Sequence, residues 1–405
     1  MQKFRLIVML MLLSILVASV GWVSAQEDTI ADLASANEDF SNLIILLEAA
    51  DLLETLDGEE PLTVFAPTNE AFNALPLSVR SYLFNNVDVL TRVLTYHVVP
   101  GEVLSSDLGD GMVVTTLETS GATITLTPDA RIDGVAITLP DVVASNGVIH
   151  VIDQVLIPDF TFEPLDPRDY PDGNTVSMAR TQNLVPVFDT LFQSWEDAGG
   201  TAPISETLDS DSALASLCAD ELPIVAVDRE LTEDEQAECA VDAISLRIGA
   251  DAMALSVGAD NDFVQDITQD EVALIFGDAV NWSDVRAEWP AEAINIVDDP
   301  NALGDDPYAI SQYLFSDAPE LATISVDGIE LNAQTVAQDT YPLTIPFYLY
   351  TSASALDGNP PALALVNYFL TFASNAVSEA GYLNASERDL NRAYLYLIST
   401  DLFDV

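Results

Sequence analysis

"PLTVFAPTNEAFNALP", Pro61 to Pro76, changes character halfway along, and that change sets the first half of the fold. Leu62 to Ala66 is a short run of apolar and β-prone residues and reads as a strand. Pro67 stops it. Thr68 then stands where an N-cap belongs, opening a short helix that carries Ala71 and Phe72. Upstream, Phe40, Leu43, Ile44, Leu47, Ala50 and Leu53 follow the period of an amphipathic helix. Downstream, "VLTYHVVPGEV" (93–103) ends a helical stretch at a Pro100-Gly101 turn. From Gly111 on, alternation takes over. "MVVTTL", "ATITLTP" and "GVAITLP" read as strands, punctuated by turns at Ser120-Gly121 and Asp133-Gly134. "NGVIHVIDQVLIP" (146–158) closes the series with a strand opened by an Asn146-Gly147 turn. Helices followed by strands predict an α+β unit.

"TVFAPTNEAF", "YHVVPG" and "NGVIHVIDQVLIP", in this order and at these separations, resemble the signature segments of a fasciclin-type domain over about residues 27–160. The resemblance implies a β-sandwich wedge flanked by helices. It also implies an extracellular module for adhesion, matrix or partner contact, without enzymatic activity. Thr68, Tyr96 and His97 fall on the family's structural motif. For His97, a structural histidine whose ring nitrogens bond backbone groups is favoured over a ligand or catalytic base. His150, in an alternating strand, is expected at a half-buried or surface position. These are the only histidines, and with two cysteines they offer no set for a transition-metal site. No metal and no cofactor is expected.

Residues 1–25 read as a secretory signal peptide. Lys3 and Arg5 precede an apolar run, Leu6 to Val20, and Val23-Ser24-Ala25 supply the small residues a signal peptidase reads. The run is short for a membrane anchor, and no later stretch is long enough to span a bilayer. The expected location is secreted or extracytoplasmic, at the cell surface or in the periplasm. Beyond residue 25 there is no lysine, and ten arginines are set against all 66 acidic residues, a formal charge of −56 with histidine neutral. Such a chain repels nucleic acid and anionic lipid. Since 49% of the residues are hydrophobic, the acids must coat real cores. The length predicts two domains, one of them divisible into lobes.

"DFTFEPLDPRDYPDGN" (159–174) is rich in proline and aspartate and reads as a stiff, extended linker, centred on 161–173. Strand and helix signals alternate over 174–405, which predicts a layered α/β domain with a largely parallel sheet. Two capping boxes, Thr232 to Glu235 and Thr268 to Glu271, mark helix starts. Pro361 near the start of "PALALVNYFLTFAS" marks a third. Cys218 and Cys239, in an exported chain, favour a disulfide over two separate buried thiols.

Three segments, "LCADELPIVAVDRELTEDEQAEC" (217–239), "ITQDEVALIFGDAVNWSDV" (267–285) and "ISVDGIELNAQTVAQDTYPLTIPFYLY" (324–350), resemble the phosphate-binding proteins of ABC importers, within the type II solute-binding fold. The resemblance implies two hinged α/β lobes with a ligand in the cleft. It places the family's first anion-binding loop on Arg180, Thr181, Gln182 and Asn183, and its Ser-Arg pair on Asp228 and Arg229. Arginine is kept, but the serine has become a carboxylate. The third loop falls on "DDPNALGDD" (298–306), which has no hydroxyl. A phosphate beside Asp228 would meet like charge, so the cleft is expected to take a different small polar or cationic ligand, or to be structural or serve a partner. The alternative is an ABC importer's receptor for phosphate or another small solute. "GADNDFVQD" lacks the glycine and glutamate of an EF-hand loop. No hydrolase signature is present.

Overall fold

The computed structural model describes residues 28–399, apart from 76, 128, 161–164, 171–175, 319, 358 and the side chains of 77 and 78. The signal-like segment and much of the linker lie outside the described residues.

In the first unit, strands run β1 (Leu62–Pro67), β2 (Val98–Pro100), β3 (Val113–Thr115), β4 (Gly121–Thr125), β5 (Arg131–Ile132), β6 (Val135–Ala144) and β7 (Gly147–Ile152). They pair in the order β2-β1-β7-β6-β5-β4-β3. Only β1 and β7 are parallel, with Leu62 opposite Gly147 and Pro67 opposite Ile152. Phe65, Val99 and Ile152 share one core with Val114, Ile124 and Ile132. The strand order therefore folds back on itself as a wedge. The other face of β1 and β7, with Val64, Ala66 and Ile149, packs on the helices. Thr68 caps the helix Asn69–Asn73 by accepting from Ala71 N–H at 3.2 Å.

Covering both faces leaves β7 wholly buried, and this corrects the expectation for His150. Its ring is fully buried, accepting from the Asp141 N–H at 3.2 Å and donating through Nε2 to the Val103 carbonyl at 2.9 Å. Alternation implies an exposed face only where one side of a strand meets water. His97 fits the structural reading. Its Nδ1 lies 2.7 Å from the Val93 carbonyl, and Leu156 N–H donates to Nε2 at 2.9 Å. Asn146 is more than a turn residue. It accepts from Ile30 N–H and donates to the Leu56 and Gly58 carbonyls, tying three segments together. Gly147 follows at φ 142°, where a Cβ would sit 1.9 Å from the Leu62 carbonyl oxygen.

The second unit is built on β8 (Ser177–Arg180), β9 (Ile204–Thr207), β10 (Ile224–Val227), β11 (Ala243–Val257), β12 (Asp266–Ile267), β13 (Asn295–Ile296), β14 (Ala309–Leu314), β15 (Ser325–Val326), β16 (Thr344–Ser352) and β17 (Leu383–Asn384). The main sheet runs β13-β14-β11-β16-β10-β8-β9. It is mixed, not largely parallel. The pairs β8-β9, β8-β10 and β13-β14 are parallel, whereas β10-β16, β11-β16 and β11-β14 are antiparallel. The reason is that β11 crosses into the second lobe and β16 returns beside it. Ile244, Leu246 and Ile248 of β11 enter the first lobe's core, while Ala250 to Leu255 enter the second's. A register shift at Arg247/Gly249 marks the crossing.

The two units share a core. Ile30, Leu90 and Val151 belong to the same apolar cluster as Trp195, Phe369 and Tyr396. The helix Glu387–Ile398 spans the seam. Its Arg388 donates to the Gly134 carbonyl at 3.2 Å, Asn391 to Asp159 at 2.6 Å and Arg392 to Gln154 at 2.8 Å. The described part of the linker is not a free spacer. Phe160 and Pro167 are buried, and Leu165 N–H donates to the Asn367 side chain at 2.8 Å. Apolar residues interleaved among the prolines allow this packing. No described helix is long and apolar enough to cross a membrane.

Burial holds the His97 ring neutral and lowers its pKa from 6.5 to about 4. The unfolded chain takes up a proton at pH values where the folded chain resists it, so this contribution is complete above 6.5 and shrinks as pH falls toward 4. Comparison of urea stability curves for the wild type and His97→Gln isolates the effect. Across that window the wild type should lose up to about 3 kcal/mol relative to the variant. A pH-independent difference would refute the buried neutral assignment.

Candidate functional site

Strands β8, β9 and β10 run parallel, so their C-terminal ends share one edge of the first lobe. Each leads into a helix, Val185–Asp197, Ser210–Cys218 and Glu233–Glu238 respectively. That edge is where an open α/β sheet binds ligands, and helix N-termini there favour anions.

In this chain a side chain of its own occupies the centre of that edge. Asp228 accepts from Asn183 Nδ2 at 3.0 Å and from the Ser210 hydroxyl at 2.5 Å. Asn183 belongs to the first loop, and Ser210 opens the second helix. One carboxylate thus draws all three loops together. Tyr382 adds a bond to the Asn183 carbonyl at 2.8 Å.

Arg229 is fully engaged. Nε and Nη2 donate to Asp211 Oδ1 at 2.8 and 2.6 Å. Nη1 and Nη2 reach the two oxygens of Glu235 at 2.8 Å, and Nη1 also serves the Glu230 carbonyl at 2.8 Å. A guanidinium has five N–H donors, and these contacts use all of them. Hydrogen bonding from Arg229 is the leading cause that holds Glu235 down at about 2. The Cys218–Cys239 disulfide joins the ends of the helices Ser210–Cys218 and Glu233–Glu238, with Cα atoms 4.4 Å apart, and so braces the Arg229 loop.

The other residues of the first loop divide. Arg180 pairs with Asp189 at 2.8 Å, donates to the Val185 carbonyl and stacks 5.0 Å from the Phe192 ring. It serves the helix Val185–Asp197 rather than the Asp228 cluster. Thr181 is buried, its N–H bonded to the Ala226 carbonyl and its hydroxyl without a partner among the described residues. Gln182 is exposed. Carboxylates of the third loop serve that lobe's own groups: Asp299 takes the Asn301 N–H, and Asp306 takes Asn295 and the Tyr308 N–H. The sequence reading missed Ser210, Asp211 and Glu235 as partners of the Asp228-Arg229 pair. The string "LDSDSALASLC", with Asp209 capping the helix through Ser212 N–H at 2.9 Å, carried the signal for the first two.

Fold and site define a fasciclin-type α+β wedge joined to a two-lobed, solute-binding-type α/β module. A fasciclin domain model matches residues 38–158, and a PBP superfamily domain model matches 171–305. Protein sll1483 of Synechocystis sp. is 45% identical over 135 residues, 32% of this chain and 73% of that protein. Immunogenic protein MPB70 of Mycobacterium bovis is 35% identical over 150 residues, 35% of this chain and 74% of that protein. A possible phosphate binding protein from Planctomyces limnophilus superposes with a TM-score of 0.49 at 16% identity, over 56% of this chain and 98% of that chain. The chain belongs to the fasciclin domain family and continues into a PBP superfamily domain.

Removing the Asp228 carboxylate strips an acceptor from Asn183 and Ser210 together. Asp228→Ala should cost about 1–3 kcal/mol in urea unfolding. Arg229→Ala, at the exposed rim, should cost less. Equal and negligible losses would show that Asp228 does not hold the loops.

Proposed function

We propose that this chain is a secreted, non-enzymatic binding and adhesion protein. Its fasciclin module contacts a surface, a matrix or a protein partner. Its solute-binding-like module keeps the scaffold of a phosphate receptor but has filled the anion position with its own carboxylate.

The observation that carries this reading is the engagement of Asn183, Ser210 and Arg229 by the chain's own carboxylates at the sheet edge. Asn183 and Ser210 serve Asp228, and Arg229 serves Asp211 and Glu235. An incoming phosphate would have to displace these contacts while facing Asp228. At 4 Å, two like unit charges repel by about 4 kcal/mol at an effective dielectric of 20. The family membership supports the adhesion role, and residues 1–25 have the pattern of an export signal.

Isothermal titration with inorganic phosphate tests the cleft. The wild type should give no saturable heat at millimolar phosphate, and its melting temperature should not rise. The triple variant Asp228→Ser, Asp211→Asn, Glu235→Gln frees the donors and should gain affinity. Micromolar binding by the wild type, abolished by Arg229→Ala, would instead make the chain an importer's phosphate receptor. The adhesion role is tested by immobilising the chain and measuring retention of cells or matrix. Retention no greater than on an uncoated surface would overturn it.

A further inference from the structure

Where the helix Glu387–Ile398 crosses the seam, it closes a cavity of 210 Å³ with the hinge strands and the first unit. Six charged side chains line it: Glu230, Arg247, Asp339, Arg388, Asp389 and Arg392. The chain has only ten arginines beyond residue 25, and three of them meet here. A solvated acidic coat does not account for that concentration.

Four of the six charges are spent on one another. Arg247, almost fully buried, pairs with Asp339 and lies 3.7 Å from Asp389. Arg388 holds Asp389 Oδ1 at 3.1 and 2.9 Å. The remaining two are not matched. Arg392 donates to the neutral amide of Gln154 at 2.8 Å, and the Glu230 carboxylate accepts only from the Tyr348 hydroxyl. Among the described residues, neither has an oppositely charged side chain within ion-pair distance. The wall therefore presents one unspent guanidinium and one unspent carboxylate within an otherwise neutralised frame.

That pattern selects a ligand by charge. A net anion is repelled by a chain of this negative charge and leaves Glu230 unmatched, and a net cation leaves the Arg392 guanidinium unmatched. A molecule with a negative and a positive end and no net charge meets neither objection. Each end also finds a charge-assisted hydrogen bond, which is stronger than a neutral one. The volume suits a molecule of amino-acid size. We propose that this cavity binds a small zwitterion of the α-amino-acid type, its carboxylate on Arg392 and its ammonium on Glu230. The wall draws Gln154 from the first unit, Arg247 from the hinge strand and Asp339 from the second lobe, so occupancy joins all three bodies. The proposal does not rest on the loss of phosphate binding: the cavity uses the Glu230 side chain, whereas the Arg229 loop uses only the Glu230 carbonyl.

Titration of the full chain with glycine, L-alanine and L-serine tests it, with acetate and methylammonium as the separate halves. The amino acids should give saturable heat and raise the melting temperature, and neither half should do so alone. Arg392→Gln and Glu230→Gln should each weaken binding about tenfold or more. Arg80→Gln, which removes an equal charge from the first unit, should leave it unchanged. Glu230 sits on an exposed loop, so its variant carries the test if Arg392→Gln fails to fold. Absence of heat with every amino acid, acetate binding as tightly as glycine, or full affinity in both the Arg392 and Glu230 variants would each overturn the proposal. Phosphate titration reports separately on the cleft at Asp228, so either reading can fail without the other.

Discussion

Apolar burial across the seam holds this molecule together against its own charge. A formal charge of −56 beyond residue 25 is a self-repulsion that favours expansion. The opposing term is a core that does not stop at the boundary between the units. Trp195, Phe188 and Phe369 are almost entirely buried, with Phe188 and Phe369 meeting edge to face at 5.6 Å. That core continues through Tyr396 and Leu397 to Leu90 and Val93 of the first unit. Each such side chain contributes about 1.5–3 kcal/mol by leaving water. Two units with separate cores would have to balance their mutual repulsion with surface contacts alone. The helix Glu387–Ile398, last of the described elements, places apolar residues in the common core and arginines in the seam.

The second constraint is scarcity of positive charge. Ten arginines serve 66 carboxylates, so a cationic group left unpaired is the exception. Among the described residues, eight of the ten have a carboxylate within 4 Å. The consequence reaches the ligand edge of the second unit. Arg229, at that edge, is claimed from both sides, by Asp211 and Glu235. The same rule gives Arg392 its interest, since it faces a cavity with only a neutral amide for company.

Legibility followed how local the determining physics was. The Thr68 cap, both capping boxes and the Asp133-Gly134 turn depend on residues within a few positions of one another, and all are present. The two-lobed plan was legible because its segments recur in order. The strand directions of its sheet were not, because alternation of strand and helix does not record that β11 and β16 pass between lobes. His150 was misplaced for a related reason: a second layer over β7 depends on strands β3 to β5, far along the chain. At the ligand edge, Asp228 and Arg229 were visible, but their partners were not. Asp211 and Glu235 are two acids among 66, and only the folded arrangement distinguishes them from the coat.

The hinge itself argues for a module that holds its shape. In a receptor that closes on a solute, the strands joining the lobes are left free to bend. Here Arg247 stands on β11 at the crossing, pairs with Asp339 of the second lobe and approaches Asp389 of the seam helix. It also donates to the Val336 carbonyl at 3.3 Å, near the end of the helix Ala333–Ala337. Rotating the lobes apart would part Arg247, whose side chain is 6% exposed, from Asp339. Parting a buried guanidinium from its carboxylate costs free energy, less here than for a fully buried pair because Asp339 is half exposed. A conformational change of that cost would have to be driven by a ligand with matching preference for the open or closed state. At the sheet edge Asn183, Ser210 and Arg229 are engaged by the chain's own carboxylates, whereas the seam cavity touches both lobes and the first unit. The seam is therefore where a contact made by one body reaches the other two.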